Sequence, residues 1–240
     1  MIKNIDFFQQ HVLQCYPQEA VCTVKNGIAV ARENIHPDPV NNFALSKEVS
    51  LEVQINRESI LHSHTFIPRT TEDARVPSYE DMVGRKSTNI PWGIVHCDGT
   101  NVSDILCFGH INNEPLLGRY YLHNVFDCFT LARDFLYKEY NYDVGLHPRP
   151  SNWVEWNPYY IEQTWDTLPF YSILVNQLQY GDILLFNIGS NIVNHIGIYT
   201  EDNKFIHHLH QRLSCEDNLS KWNKQFKRAI RYKHGNTVYS

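Results

Sequence analysis

The sequence lacks several things, and each absence narrows the reading. It has no apolar run near the roughly 20 residues that a membrane-spanning helix needs. It has no basic excess: 21 Lys and Arg stand against 26 Asp and Glu, a net charge of −5. A phosphate-binding surface usually carries the opposite balance, which argues against nucleic acid as a partner. The six cysteines, Cys15, Cys22, Cys97, Cys107, Cys128 and Cys215, form no C-x-x-C pair and no disulfide-like spacing. Reduced thiols and a cytoplasmic site of synthesis are the expectation. The first twenty residues, MIKNIDFFQQHVLQCYPQEA, hold no apolar stretch before a small-residue cleavage site, which predicts no secretory leader. Internal repeats and low-complexity tracts are also missing. What remains is a chain of 240 residues, long enough for two ordinary domains.

Local patterns predict the elements. Ile5, Phe8, Val12 and Leu13 fall at helical spacing in a segment that Pro17 ends. AVCTVKNGIAVARENI reads as a hairpin across Asn26-Gly27. VSLEVQINRESILHSH reads as a short helix and then a strand that delivers Leu61 and His62. PWGIVHCDG and SDILCFGH read as strands on either side of Asp98-Gly99. The polar segment INNEPLLG, residues 111–118, is the predicted seam between domains spanning 1–112 and 113–240. Beyond it, FDCFTLARDFLYKEY is the strongest helix of the second half. Irregular structure with a helix from about Asn157 should follow. GDILLFNIG, NHIGIYT and KFIHHL are then three successive strands, and KRAIRYK a last one. Trp153, Trp156, Tyr159 and Tyr160 either pack structurally or border a cleft.

Two groups of residues carry chemistry. In the first, His62 and His64 stand at i and i+2 on a strand, so both rings share a face. Histidine and carboxylate are zinc ligands, and a catalytic zinc keeps one position open for water. The bland reading is that both rings line the solvated face of a half-buried strand. In the second, Cys128 opens a helix, where the positive end of the dipole favours thiolate. A thiol nucleophile needs a histidine base and a third group to hold that base. His195 begins the strand HIGIY. If the following turn is Thr200-Glu201-Asp202, His195 lies directly opposite His207. A turn of Glu201-Asp202 would put His208 there instead. The bland reading of Cys128 is a buried structural thiol.

YPQEAVC, LHSH and PSYED together resemble the JAMM (Mov34/MPN) metallopeptidase signature. That resemblance implies that His62, His64 and Asp81 bind Zn. It also implies that Glu19 is the general acid/base and that Ser78 steadies the oxyanion. Thirteen residues, 65–77, separate His64 from Ser78, more than the family usually has. The extra IPRTTEDAR should bulge beside the metal, either shaping a substrate loop or carrying Asp81 out of reach. YYLHNVFDCFTLARDFLY, GDILLFNI, NHIGIY and KFIHH resemble NlpC/P60 cysteine peptidases. The resemblance implies catalytic Cys128, His195 and His207, the last chosen over His208 because it follows His195 by twelve positions. Tyr121 matches the family's tyrosine before the nucleophile, with Tyr120 where a proline is usual. D-C-F-T replaces the usual D-C-S-G.

The implied fold is α/β (α+β). It comprises an N-terminal JAMM/MPN-like domain with a mixed sheet flanked by helices, and a C-terminal papain-like domain with a helix on an antiparallel sheet. The order of the two resembles tail-tip assembly peptidases of long-tailed phages. It implies synthesis in an infected cytoplasm, tail-tip proteins as partners, and hydrolysis of a peptidoglycan stem peptide or a tail protein. The competing reading is a structural tail component that keeps peptidase folds as docking modules.

Overall fold

A computed structural model of the chain describes residues 2–66 and 73–233. Most of the predicted insertion, residues 67–72, lies outside the described residues. The chain divides into two compact units, residues 1–110 and 111–240, and each is described by itself.

The first unit runs α1 (Ile5–Cys15), β1 (Val21–Lys25), β2 (Ile28–Arg32), α2 (Lys47–Asn56), β3 (Ser59–His64), α3 (Tyr79–Thr88), β4 (Trp92–His96) and β5 (Leu106–Phe108). Its sheet order is β2-β1-β3-β4-β5, mixed because β3 and β4 are parallel and the other pairs antiparallel. The β1–β2 turn uses Asn26 and Gly27 at positive φ, 53° and 80°, the pair that a tight hairpin demands. Phe8 and Val12 of α1 pack with Cys22, Leu61 and Val95 of the sheet to form the core. β3 is central and buried almost throughout, so His62, Ser63 and His64 all lie in the interior.

The second unit runs α4 (Cys128–Tyr140), α5 (Trp153–Trp156), α6 (Tyr160–Asp166), β6 (Phe170–Ile173), β7 (Ile183–Phe186), β8 (His195–Tyr199), β9 (Lys204–His207), β10 (Cys215–Asn218) and β11 (Phe226–Tyr232). The sheet is wholly antiparallel in the order β10-β9-β8-β7-β11-β6. β6 and β10 are additions to the strands expected from the sequence. CEDN, at β10, is too polar for an apolar alternation to mark it. α4 packs on β8, and its residues from Phe129 to Leu136 are all buried. Phe129, Leu131, Phe135 and Leu136 meet Ile183, Leu185, Ile196 and Ile198 in the main core.

Burial on all sides forces α4 to satisfy its own charges. Asp134 is fully buried; it pairs with Arg119 and accepts a hydrogen bond from the Asn112 amide (3.0 Å). Arg119 also donates to the carbonyls of Pro115 and Glu114 (2.8 Å each). The polar segment expected as a seam is thus tied to α4, directly by the Asn112 amide and through Arg119, which pairs with Asp134. Asp134→Ala would leave Arg119 charged and unpaired in the interior. A loss of about 3–5 kcal/mol in unfolding free energy is expected by urea denaturation, whereas a loss under about 1 kcal/mol would mean that water replaces the pair.

Candidate functional site

In the first unit, His62 and His64 point to one face of β3, and α3 brings Asp81 to them. His62 Nε2 lies 3.2 Å from Asp81 Oδ1, His64 Nε2 lies 3.3 Å from Asp81 Oδ2, and the two Nε2 atoms are 3.3 Å apart. His64 Nδ1 donates to the Ala74 carbonyl (3.0 Å). A neutral His64 is therefore bare at Nε2, so electron-rich atoms converge on one point. A tetrahedral ion with bonds of ~2.0 Å would have ligand–ligand edges of ~3.3 Å. Each separation is of that size, with one carboxylate oxygen facing each histidine, and the donor set fits zinc.

The surroundings fix these donors. Ser63 Oγ accepts the Ala20 amide (2.8 Å), and the Ser63 amide donates to the Ala20 carbonyl (3.0 Å). The serine between the histidines thereby ties β3 to the segment bearing Glu19. Phe43 packs on the His62 ring at 4.5 Å. His62 Nδ1 is buried with no hydrogen-bond partner among the described residues. Ser78 caps α3: its Oγ accepts the Asp81 amide (3.0 Å), and its own amide donates to Asp81 Oδ2 (2.8 Å). Among the described residues no acceptor takes the Ser78 hydroxyl proton. Burial, opposed by His64 and reinforced by Asp81 and Asp38, pushes the Glu19 carboxyl up to about 8. Such a group can both take and return a proton near neutrality.

The long His64–Ser78 connection does not carry Asp81 out of reach. Its described end, Ala74, supplies the carbonyl that orients His64. Orientation of a ligating histidine by such a partner is the usual outer arrangement of a metal site.

In the second unit, Asp127 caps α4 and thereby places Cys128 at the helix start. Asp127 Oδ1 accepts the amides of Phe129 and Thr130 (3.0 Å each); Oδ2 accepts the Asn124 amide (2.8 Å) and Arg149 Nη2 (2.6 Å). Thr130 Oγ1 accepts the Asp127 amide (2.9 Å) and closes a capping box. This accounts for the D-C-F-T variant, because a glycine at position 130 could not close it. Arg149 also stacks over Phe129, 4.8 Å from the ring centroid.

His195 and His207 are both buried. His195 Nε2 lies 3.0 Å from His207 Nδ1, and His207 Nε2 lies 3.2 Å from Asp217 Oδ2. The carboxylate can only accept, so His207 carries its proton on Nε2. Its bare Nδ1 then accepts from His195 Nε2–H. That leaves His195 Nδ1 as the nitrogen free to act as a base. Sequence reasoning missed Asp217, because it lies on the unanticipated β10.

Two expectations are corrected here. His195 does not lie directly opposite His207: His207 pairs with Gly197. Asp202 and Asn203 adopt positive φ, 52° and 58°, which makes the loop Glu201–Asn203 and moves the register by two residues. A shift of two keeps His207 on the His195 face, and the rings meet diagonally. His208 is engaged elsewhere: its Nε2–H donates to the Arg212 carbonyl (3.1 Å), and its ring packs on Tyr121 (5.5 Å). The second correction concerns Cys128, where the helix dipole does not prevail. Burial and the Asp127 charge push its thiol up to about 12, while burial, His207 and His208 hold His195 down to about 3. Both shifts favour the neutral form of each group.

Gly197 fits this arrangement by its lack of a side chain, since a Cβ there would collide with the Phe205 ring that packs beside His207. Of the aromatic segment, Trp153 packs on the core, whereas Trp156 and Tyr159 are exposed.

Residues 117–231 match the model of the NlpC/P60 family. The chain is 28% identical to tail tip assembly protein K of Escherichia phage lambda, covering 75% of this chain and 85% of that protein. It is also 28% identical to the protein of the same name from Escherichia phage N15, covering 96% and 95%. Among solved structures, an NLP/P60-family protein of Staphylococcus aureus is 22% identical over 50% of this chain and 38% of its own, with a TM-score of 0.37. The NlpC/p60 domain of the peptidoglycan hydrolase SagA is 16% identical over 48% of this chain and 89% of its own, with a TM-score of 0.35. No helix among the described residues is long and apolar enough to cross a membrane.

Asp127 yields a stability prediction. Arg149, His123 and the backbone amides overcome its burial and hold its carboxyl down to about 2, against an ordinary 3.8. The folded form binds that proton less readily than the unfolded chain, so the contribution is complete above 3.8 and lost as pH falls through about 2. It is worth ~2 kcal/mol. Asp127→Asn should be less stable than wild type at neutral pH, and the gap should close on acidification. Denaturant unfolding at both pH values tests this, and a constant gap would contradict it.

Proposed function

We propose, because residues 117–231 match the NlpC/P60 family model, that the protein is a cysteine hydrolase of amide bonds at a phage tail tip, cleaving a peptidoglycan stem peptide. The observation that carries this reading is the hydrogen-bonded series His195, His207, Asp217, which begins on β8, the strand against which the Cys128 helix packs. Its polarity leaves a bare nitrogen on His195, as general-base action requires.

The chemistry follows from that polarity. His195 Nδ1 takes the thiol proton of Cys128 as Sγ attacks the carbonyl carbon. The imidazolium so formed keeps its Nε2–H on His207 Nδ1, and Asp217 holds His207 through Nε2–H. Positive charge on His195 is therefore met by a chain of dipoles that ends in a carboxylate. His195 returns the proton to the leaving amine as the C–N bond breaks, and water then cleaves the thioester. With thiol and imidazole both neutral at rest, proton transfer accompanies attack and does not precede it. The stem-peptide substrate, of the D-γ-glutamyl–diaminopimelate type, is supported by the NlpC/P60 resemblance, and the tail-tip setting by the two phage relatives.

We infer a second, metal-dependent site in the first unit. His62, His64 and Asp81 would hold zinc, whose chemistry is to activate water and polarise a carbonyl. Glu19, its carboxyl raised to about 8, would carry the proton between attacking water and leaving group. The free Ser78 hydroxyl proton would be offered to the developing oxyanion.

Two experiments test these readings. Purified sacculi incubated with the protein should release stem-peptide fragments, and Cys128→Ala should lower the rate about 10⁴-fold or more; equal release by both would refute the thiol mechanism. Zinc retained through extensive dialysis should be lower by about one equivalent in His62→Ala than in wild type. Retention unchanged in that variant would exclude the site.

A further inference from the structure

Behind His207 lies a group of donors that the thiol mechanism does not use in full. His207 Nε2, Cys215 Sγ and a carboxylate oxygen of Asp217 lie within 4.8 Å of one another. Cys215 stands opposite His207 in the β9–β10 ladder, and Asp217 is two residues further along the same face. Sγ is 3.6 Å from His207 Nε2, and Asp217 Oδ2 is 3.2 Å from it. Tetrahedral zinc, with bonds of ~2.3 Å to sulfur and ~2.0 Å to nitrogen or oxygen, has edges of ~3.5 Å and ~3.3 Å. Both separations correspond. Trp222 Nε1 donates to Asp217 Oδ2 (3.2 Å), the kind of outer hydrogen bond that orients a ligating carboxylate. His207 is fully buried while Cys215 and Asp217 are half-buried, so the group reaches solvent from one side. Sulfur, nitrogen and oxygen together suit a thiophilic divalent cation.

We propose that His207, Cys215 and Asp217 form an inhibitory site for zinc or a similar thiophilic divalent cation. Binding does not depend on the hydrolase reading, but the inhibitory consequence rests on it. When the ion binds, Cys215 releases its thiol proton to solvent, and His207 gives Nε2 to the metal. The ring proton of His207 then resides on Nδ1 and donates to His195 Nε2, which must be bare to accept it. His195 accordingly carries its proton on Nδ1, the nitrogen that would otherwise take the proton of Cys128. The hydrogen bond between the two rings survives with its direction reversed, and the general base is blocked without any ligand touching the nucleophile.

The first unit's candidate ligands include no sulfur, so a thiolate-to-cobalt charge-transfer band reports this site alone, even in the full wild-type chain. Titration with Co²⁺ should complete that band within about two equivalents, one for each proposed site. It should vanish in Cys215→Ala and Cys215→Ser, and persist in Cys128→Ala. A band that survives loss of Cys215, or one that follows Cys128, overturns the proposal. In parallel, sacculus hydrolysis is measured with added Zn²⁺, each variant against its own zinc-free rate. Zinc should lower wild-type activity more than ten-fold and leave Cys215→Ala within two-fold; equal inhibition of both overturns the regulatory role. A Cys215-dependent band in a protein that cleaves no sacculi supports the metal site and refutes the hydrolase reading, so the two failures are distinct.

Discussion

The second unit depends on one buried carboxylate. Asp127 accepts two amides of the α4 first turn, the Asn124 amide and the Arg149 guanidinium. It thereby fixes where α4 starts, and so where Cys128 sits against β8. The same contact anchors the loop carrying Arg149, whose guanidinium stacks over Phe129. A helix that buries nearly its whole circumference cannot leave such a charge unmatched, because the desolvation cost would exceed the gain from capping. The residue next to Cys128 is thus an element of architecture, and it also acts against ionisation of the thiol it positions.

The first unit solves a similar problem with serines. Ser63 ties the H-S-H strand to the segment carrying Glu19, and Ser78 holds Asp81 through reciprocal capping bonds. In both units a short polar side chain at an element boundary determines where the reactive groups stand. In both, a histidine is oriented through the nitrogen that faces away from the chemistry, by the Ala74 carbonyl for His64 and by His207 for His195.

Much of this was legible in the residues. The period-two spacing of His62 and His64 placed both on one face, and Asn26-Gly27 announced its hairpin. Family patterns in the sequence singled out Cys128, His195 and His207. Other features had no local signal. Asp217 sits in a strand too polar to be recognised by alternation, and its role arises only when β10 pairs with β9. The effect of the residues after His64 depended on where Ala74 comes to rest, which spacing does not encode. The ionisation of Cys128 was misjudged because a helix terminus is visible in sequence, whereas burial and the opposing Asp127 charge are properties of the fold.

The β8–β9 loop carries a consequence for how this chain can vary. Its three residues, Glu201–Asn203, set the register that keeps His207 beside His195. Strand faces alternate with every residue, so a change of loop length by two leaves the same side of β9 facing His195. A change by one presents the other side, and His208 would take the place of His207. A register shift at this exposed turn is therefore quantised: even steps keep His207 on the face that carries His195, and odd steps put His208 there while leaving both histidines present in the sequence.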